Sequence, residues 1–537
     1  MKYKTSKSHR KSDEYFNMDE RWNESDAFLN VGDVKSVKRN LQSRRISNVR
    51  TVATSKEEKE SLFCEELCIP QLIILGSDLF SSHEIEILIG VATVMSTAGT
   101  IKAKMIATGD VIAMIRRRCQ NELIEKLDDL TKNDFIRFIT TNVKGSEHTI
   151  VSFVKKHFNK SEILVITRSK VLLIQLEQSE VKVRTASPSE GGALRFIRAS
   201  STEKSIDIKS AIECNLSNEP VERLGKRLKT GCCVRHEDGI IYKLGEVVGN
   251  SNTSGEGKVY TVSDKLCVKI FHKRTSTPYR YEKVRKLSLL AKKISEKRPD
   301  LSERIAFPLG LVYNSRGEPV GYLQKRFTDV NELSVLNPIN GIHISRIERI
   351  KLAISLSELT CFLNEEGIML SDVLSYQNIM FDSKLNAYMV DIDSVQFVYS
   401  GTIFRSTVGR DDYISPEHIG RKVYDYIRSP KDDSWALATI LFYILFMTKP
   451  YARVNCNSLY EDTIAGRYSF PDGSGRCRSD IVEGKDGVYY KLITSYSSNL
   501  VQDMYDTFSS NGSHFREKDR FDCMRWLKNC VSELNIA

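Results

Sequence analysis

The sequence lacks any cysteine spacing that would hold zinc. Twelve cysteines are present, yet Cys64 and Cys68 have no second pair, and the adjacent Cys232 and Cys233 cannot comfortably share one tetrahedral ion. The pattern of a secreted disulfide framework is also missing, so the thiols read as reduced, in a cytosol. The opening "MKYKTSKSHRKSDEYF" has none of the apolar core that a signal peptide needs. The most apolar stretch, Trp435 to Met447, is too short for the ~20 residues of a membrane span. It reads instead as a helix buried on all sides within a large domain. Neither sign of charge dominates: 79 Lys and Arg face 69 Asp and Glu, for a net charge of +10. That balance describes a solvated basic surface and does not indicate nucleic acid. No repeat of solenoid type occurs. What is left is the composition of a soluble globular protein, expected in the cytoplasm with no membrane partner.

The 537 residues suffice for several domains of roughly 150 residues each. Residues 1–65 are polar and rich in Lys, Arg, Ser and Asn, an arm with a short helix near "KEEKESLFCEEL". In residues 66–180, "IPQLIIL", "DFIRFITTNV" and "EILVITRS" read as strands, while "SSHEIEILIGVATVM" and "EHTIVSFVKKHF" read as helices. That alternation predicts a small α/β domain on a parallel sheet. Residues 181–238 carry Ser, Glu and Gly with only short apolar pieces, and read as a connector. Residues 239–537 form the largest unit.

Chemistry concentrates in that unit. "LGEVVGNSNTSGEGKVYTV" (Leu244 to Val262) reads as strand, Gly-bearing turn and strand. Its turn can cover phosphates with backbone N–H groups, or be a plain hairpin. Lys269 lies inside the apolar strand "KLCVKIF" and needs an anion if buried. The next helix has Thr277 as N-cap and Pro278 at its first position. Glu282 in its first turns can supply that anion, or pair locally with Lys286 at i, i+4. The helix "SRIERIKLAISLSELTCFLNEEG" opens on a capping box, Ser345 and Glu348, and stops at Gly367. Beyond it, "YQNIMF" and "AYMVDID" read as hairpin strands around the turn "DSKLN". The hairpin brings Asp372, Asn378, Asp391 and Asp393 to one edge, as a divalent cation and a phosphate chain require. "YISPEHIG" then leads to the buried helix with Asp433 at its start, and "REKDRFDCMRWL" lies near the C-terminus.

The order Gly-turn, strand Lys, helix Glu, Asp, Asn, Asp and "SPE" resembles the signature order of protein kinases. "SGEGKVY", "IAFPLGLVYNSRGEPVGYLQKRF", "VDIDSVQF" and "DSWALATILFYILFM" more closely resemble a bacterial family of divergent kinase-like proteins. Its members carry Asp-Ser after the metal-binding strand and are often encoded near von Willebrand A proteins and metal-dependent protein phosphatases. The resemblance spans Leu244 to Leu534. It implies an α+β chain, a bilobal protein-kinase-like fold preceded by the small α/β domain, with ATP and Mg2+ as cofactors. By that resemblance Lys269 would hold the α- and β-phosphates, Glu282 would orient it, and Gly255 and Gly257 would cover the phosphates. Val259 and Cys267 would roof the adenine, Met380 would floor it, and the backbone near Gln324 and Arg326 would meet its edge. Asp372 would accept or steer the substrate proton, and Asn378 and Asp391 would hold magnesium. Glu417 and Arg520 would tie the activation segment to the C-terminal helices.

Four departures stand out. Leu370-Ser371 replaces the usual His-Arg, so no Arg there awaits a phosphorylated loop. One extra residue separates Asp372 from Asn378, leaving Gln377 at the usual spacing; Asn378 is chosen because "NIMF" reads as the strand entry. Asp393 replaces the Gly after the metal Asp and offers a second carboxylate ligand. Asn252 and Ser254 stand where the first two glycines of the phosphate loop would be. The small domain is similar to PIN-like nucleases in element order, with Asp78 after its first strand and Glu147 at a later helix, but Arg168-Ser169 where a last acid is expected. The leading reading is a kinase for Ser or Thr hydroxyls of a protein, itself included. Alternatives are a nucleotide-binding pseudokinase scaffold for a regulatory protein partner, and a nucleic-acid effector whose N-terminal domain does the chemistry.

Overall fold

The computed structural model describes residues 70–537 except 100, 102, 119, 160–161, 182, 189–193, 198–210, 223–227, 250–254, 337–340, 408–410, 453–458 and 478–486. The arm 1–65 with its expected helix, the turn residues Asn252 and Ser254, and the side chain of Ser371 lie outside the described residues.

The first part of the chain runs β1 (Leu72–Leu75), α1 (His83–Thr97), β2 (Lys104–Thr108), α2 (Asp110–Arg117), α3 (Asn121–Lys132), β3 (Ile136–Ile139), α4 (Ser146–His157), β4 (Ile163–Ile166), α5 (Lys170–Gln178), β5 (Arg184–Pro188) and β6 (Leu194–Phe196). Its sheet has the order β3-β2-β1-β4-β5-β6. Strands β1 to β5 are parallel and β6 is antiparallel. The strands read as unbroken apolar runs because both sheet faces are covered. Ile73 and Leu75 enter one core with residues of α1, α2 and α3. Their neighbours Leu72 and Ile74 point the other way, into a core with α4 and α5. Sequence patterning found β1, β3, β4, α1 and α4 but missed β2, α2, α3 and α5. It also set a boundary at residue 180 that the structure moves: β5 and β6 complete this sheet from within the expected connector.

The rest of that connector is built into the second part. Strand β7 (Ile212–Glu213) pairs with a strand of the segment that follows Asp391. Beyond it, Ser217 O accepts from Tyr279 N (3.1 Å), and Val221 N donates to Ser276 O (2.8 Å). Strand β8 (Cys233–His236) belongs to a second sheet with β9 (Ile241–Lys243), β10 (Gly257–Thr261) and β11 (Leu266–Phe271). Next come α6 (Pro278–Lys297), α7 (Pro299–Ser302), β12 (Pro308–Tyr313) and β13 (Pro319–Lys325). The sheet order is β10-β11-β13-β12-β8-β9. Val268 and Ile270 of β11 fill the core on one face. Phe271 and Tyr322 face the other way and pack with Tyr281 and Val284 of α6. By alternation Lys269 lies on the α6 side.

Below this sheet, β14 (Val330–Glu332), α8 (Arg346–Glu365), β15 (Ile368–Met369), β16 (Ile379–Asp382), β17 (Ala387–Met389), β18 (Gln396–Tyr399) and β19 (Thr402–Phe404) lead to α9 (Pro430–Phe446). Short α10 (Leu459–Ile464) and α11 (Val488–Ile493), then α12 (Ser498–Phe508) and α13 (Cys523–Ile536), complete the chain. Helix α9 is buried on all sides, as its sequence requires: Trp435, Leu437, Ile440, Leu441, Phe442 and Phe446 are all at most 1 % exposed. The two parts share one core, for Val171, Leu173 and Ile174 of α5 enter the cluster built by α8, α9 and α13. Ion pairs Arg118–Glu303 and Lys170–Glu365 flank that joint.

Candidate active site

The hairpin read from the sequence is present. Ile379 pairs with Met389 and Met380 with Tyr388, and Asp382 Oδ1 closes the turn by accepting from Lys384 N and Asn386 N (both 2.9 Å). Asn378 O accepts from Val390 N at 2.9 Å, so the two strands stay paired up to the acidic end. There the backbone leaves the strand. Asp391 adopts φ 61°, ψ 35°, and the turn Ile392–Ser394 follows. Asn378 is 7 % exposed and its Nδ2 donates to Asp372 O at 2.9 Å, whereas Gln377 is exposed. Asp372, 9 % exposed, lies in the short turn Ser371–Val373. Asp433 anchors that turn from below: its Oδ2 accepts from Leu370 N and from Asn364 Nδ2 (both 2.7 Å). Sequence reading noted Asp433 but gave it no part in this.

Lys269 reaches down from β11 into the same place. Its ammonium donates to Asp393 Oδ1 at 2.7 Å, to Glu256 Oε2 at 3.4 Å, and to Asp391 Oδ1. Burial opposes its charge, but Asp391, Asp393 and Glu256 together hold its pKa above the usual lysine range. Burial raises the pKa of Asp391, with the neighbouring carboxylates adding to it and Lys269 opposing. Glu256 is held at about 2: burial works against ionisation, and Lys269 and Arg280 outweigh it.

The expected partner of Lys269 is corrected. Glu282 does not reach it. Glu282 is half-buried and bound to Arg285 (2.7 and 2.9 Å), with Lys286 at 3.5 Å. The local alternative holds because the inward face of α6 belongs to Tyr279, Arg280, Lys283, Val284 and Leu287, and Glu282 falls off that face. Asp393 takes over instead. Its side chain is fully covered, and Tyr322 Oη donates to the same oxygen, Oδ1, at 2.7 Å. Its carboxylate therefore serves Lys269 and is not an open ligand. The signal was in the sequence, as a carboxylate replacing a glycine two residues after Asp391.

The other expected cleft residues separate into two groups. Val259 and Met380 are half-buried, and Val259 is opposite Lys269 in the sheet register. Cys267 faces Gln324 across the sheet, with Gln324 Nε2 3.5 Å from its sulfur. Arg326 N donates to Lys265 O at 2.8 Å, which turns that donor into the sheet. Gly257 has a packing reason of its own: a Cβ there would lie 2.5 Å from Ile270 O. Gly255 is exposed, with nothing near a Cβ position. Away from the cleft, Arg520 is 1 % exposed and pairs twice with Glu417 (2.8 and 3.0 Å), over the face of Trp435. In the small domain Asp78 is engaged by Thr167 Oγ1 and Arg168 N (both 2.6 Å). Glu147 is pushed up to about 7, first by burial and then by the charges of Glu358, Asp78 and Asp110.

Residues 329–502 match the family described as protein kinase domain. Serine/threonine protein kinase OSK3 of Oryza sativa subsp. indica is 27 % identical over 109 residues, covering 20 % of this chain and 21 % of that protein. SNF1-related protein kinase catalytic subunit alpha KIN12 of Arabidopsis thaliana gives the same figures, 27 % over 109 residues. CBL-interacting protein kinase 8 of Oryza sativa subsp. japonica is 30 % identical over 111 residues, 20 % of this chain and 24 % of that protein. The chain thus spans between about a fifth and a quarter of the length of these relatives. It carries a protein kinase domain similar to those of serine/threonine kinases. The family match takes in Asp372, Asn378 and Asp391 and begins after Lys269 and α6.

Proposed function

We propose that the chain is an ATP- and Mg2+-dependent protein kinase that transfers the γ-phosphoryl group to Ser or Thr hydroxyls, its own among them. One observation carries this reading: Lys269 from the upper sheet meets Asp391 at the end of the hairpin whose other strand, through Asn378, holds the backbone of Asp372. Phosphoryl transfer needs little covalent help from protein; it needs phosphates held still and charge neutralised. Lys269 would hold the phosphates. Asp372 would take the hydroxyl proton as the substrate oxygen bonds to the γ-phosphorus and the bond to the β–γ bridging oxygen breaks. Val259, Cys267 and Met380 would sandwich the base. The donor chemistry fits a divalent cation: Asp391 offers a carboxylate whose side chain is 33 % exposed at the end of the hairpin. Asn378 uses its Nδ2 on Asp372 and keeps Oδ1 as an acceptor. Asp391 and Asn378 would hold Mg2+, which when bound neutralises charge on the transferring phosphate.

The test is mass spectrometry of the purified full chain and a generic Ser/Thr protein after incubation with ATP and Mg2+. Phosphate on Ser or Thr that vanishes in Asp391→Asn and Lys269→Ala is the expected result. Nucleotide binding with no transfer under any condition would overturn it and favour the scaffold reading, for which Glu282 turned away from Lys269 is the supporting observation. We give the small α/β domain a regulatory part, because Thr167 and Arg168 N already engage Asp78.

A further inference from the structure

The inner face of α6 carries two cations that this mechanism does not use. Arg280 and Lys283, one turn apart, are 9 % and 2 % exposed. Arg280 Nη2 donates to Glu256 Oε1 at 2.6 Å and to Thr407 Oγ1 at 3.2 Å, and its Nη1 lies 3.6 Å from Asp393 Oδ2. Lys283 forms no hydrogen bond or ion pair with any described residue. It stands within electrostatic reach of Asp393, Glu256, Arg280 and Lys269, and burial, then Arg280, brings its ammonium down to about 7. A long charged side chain so placed is costly if all it does is fill space, which a Met would do as well.

The charges around it show what is missing. Lys269, Arg280 and Lys283 share three carboxylates: Glu256, Asp391 and Asp393. If Asp391 turns to a cation, the three bases keep one fixed carboxylate, the fully covered Asp393, and one on a surface turn, Glu256 between Gly255 and Gly257. Only Glu256 can give way, and the group that replaces it must bring several negative oxygens. We propose that Arg280 and Lys283 form, beside Lys269, a phosphate-binding subsite for a nucleoside polyphosphate, which Glu256 occupies in the free protein. The subsite rests on the kinase reading and deepens it: a second pair of bases grips the phosphate chain from α6.

Binding of ATP, ADP and adenosine to the full chain, followed by titration calorimetry, tests this. Lys283→Met is expected to weaken ATP about tenfold while leaving adenosine unchanged, with Lys283→Arg restoring ATP. Arg280→Met should act in the same direction, and Glu256→Gln should tighten ATP several-fold by removing the resident anion. Lys283→Met should also melt no lower than the wild type, since it removes a buried ammonium that makes no hydrogen bond or ion pair with a described residue; this separates binding from folding. ATP binding within about twofold of wild type in both Lys283→Met and Arg280→Met, or an equal loss for adenosine, overturns the subsite and leaves the kinase reading intact. Weaker ATP binding in Glu256→Gln overturns its part as occupant. A wild-type chain that binds no nucleotide overturns both readings.

Discussion

Replacing Asp393 by Asn is expected to damage both stability and transfer, whereas Glu282→Gln should leave both nearly unchanged. The Asp393 carboxylate is fully covered, 2.7 Å from Lys269 Nζ and 2.7 Å from Tyr322 Oη, with Arg280 at 3.6 Å. Asn keeps an acceptor for Tyr322 but removes the charge that faces two buried cations. Breaking a buried ion pair from one side costs about 3–5 kcal/mol. Lys269 retains Asp391 and Glu256, so about 2–3 kcal/mol is the expected loss, seen as a lower urea midpoint at unchanged slope. Transfer should fall further than stability, because Lys269 would follow Asp391 and Glu256 and drift from the phosphates. Glu282 makes a partly exposed pair with Arg285 on the helix surface, and such pairs contribute at most ~0.5 kcal/mol. The reasoning is refuted if Glu282→Gln reduces transfer more than Asp393→Asn does, or if Asp393→Asn unfolds at the wild-type urea concentration.

Asn378→Ala should cut magnesium-dependent transfer far more than Gln377→Ala, read from initial rates across a magnesium titration; the reverse order would put the amide ligand at Gln377. Arg520→Ala is expected to cost about 3–5 kcal/mol in urea unfolding, because it strands Glu417 and leaves a hole against Trp435. Glu256 is depressed to about 2 in the folded chain, so its contribution is complete above its ordinary value of 4.5 and is lost as pH falls from there toward 2. Glu256→Gln should flatten that acid limb. Glu147 is raised to about 7, so the folded chain holds a proton that the unfolded chain releases, and stability falls as pH rises from 4.5 through 7. Glu147→Gln should remove that slope and stabilise the chain by about 1–2 kcal/mol at pH 8, measured by urea titration.

The fold was legible where one period ran long and its ends were marked. Thr277 caps α6 through Arg280 N, Ser345 and Glu348 close the expected box on α8, and Gly367 leaves it with φ 75°. The missed elements of the small domain fail that condition. Strand β2 is only "KMIAT", and α2 and α3 are short helices whose polar faces carry Arg116, Arg117, Glu122 and Asp129. Strands β5 and β6 close one end of the sheet and carry Arg184, Ser187 and Arg195. Their place is decided by β4 offering an open edge, which is tertiary information. The boundary near residue 180 failed for that reason.

The site divides along the same line. The hairpin and the turn holding Asp372 follow from local spacing, because each is made by neighbouring segments whose register one turn sets; the Glu417–Arg520 pair joins distant segments and is expected only from the resemblance. The surroundings of Lys269 do not follow from spacing either. Three strands and a helix converge there, and the position of Glu282 on α6 depends on helix rotation. One residue of phase, about 100°, decides whether Glu282 or Lys283 looks inward. Tyr279, Val284 and Leu287 set that phase by packing against the sheet and the lower core, and they turn Lys283 in and Glu282 out. Once α6 presents bases, the carboxylates that Lys269 requires must come from elsewhere, and the chain supplies them as Asp393, where the resemblance places a glycine, and Glu256, between Gly255 and Gly257. The apparent loss of the helix glutamate and the loss of the glycine after Asp391 are then one change: the anion has moved from α6 to the end of the hairpin, and α6 is left free to carry positive charge toward the cleft.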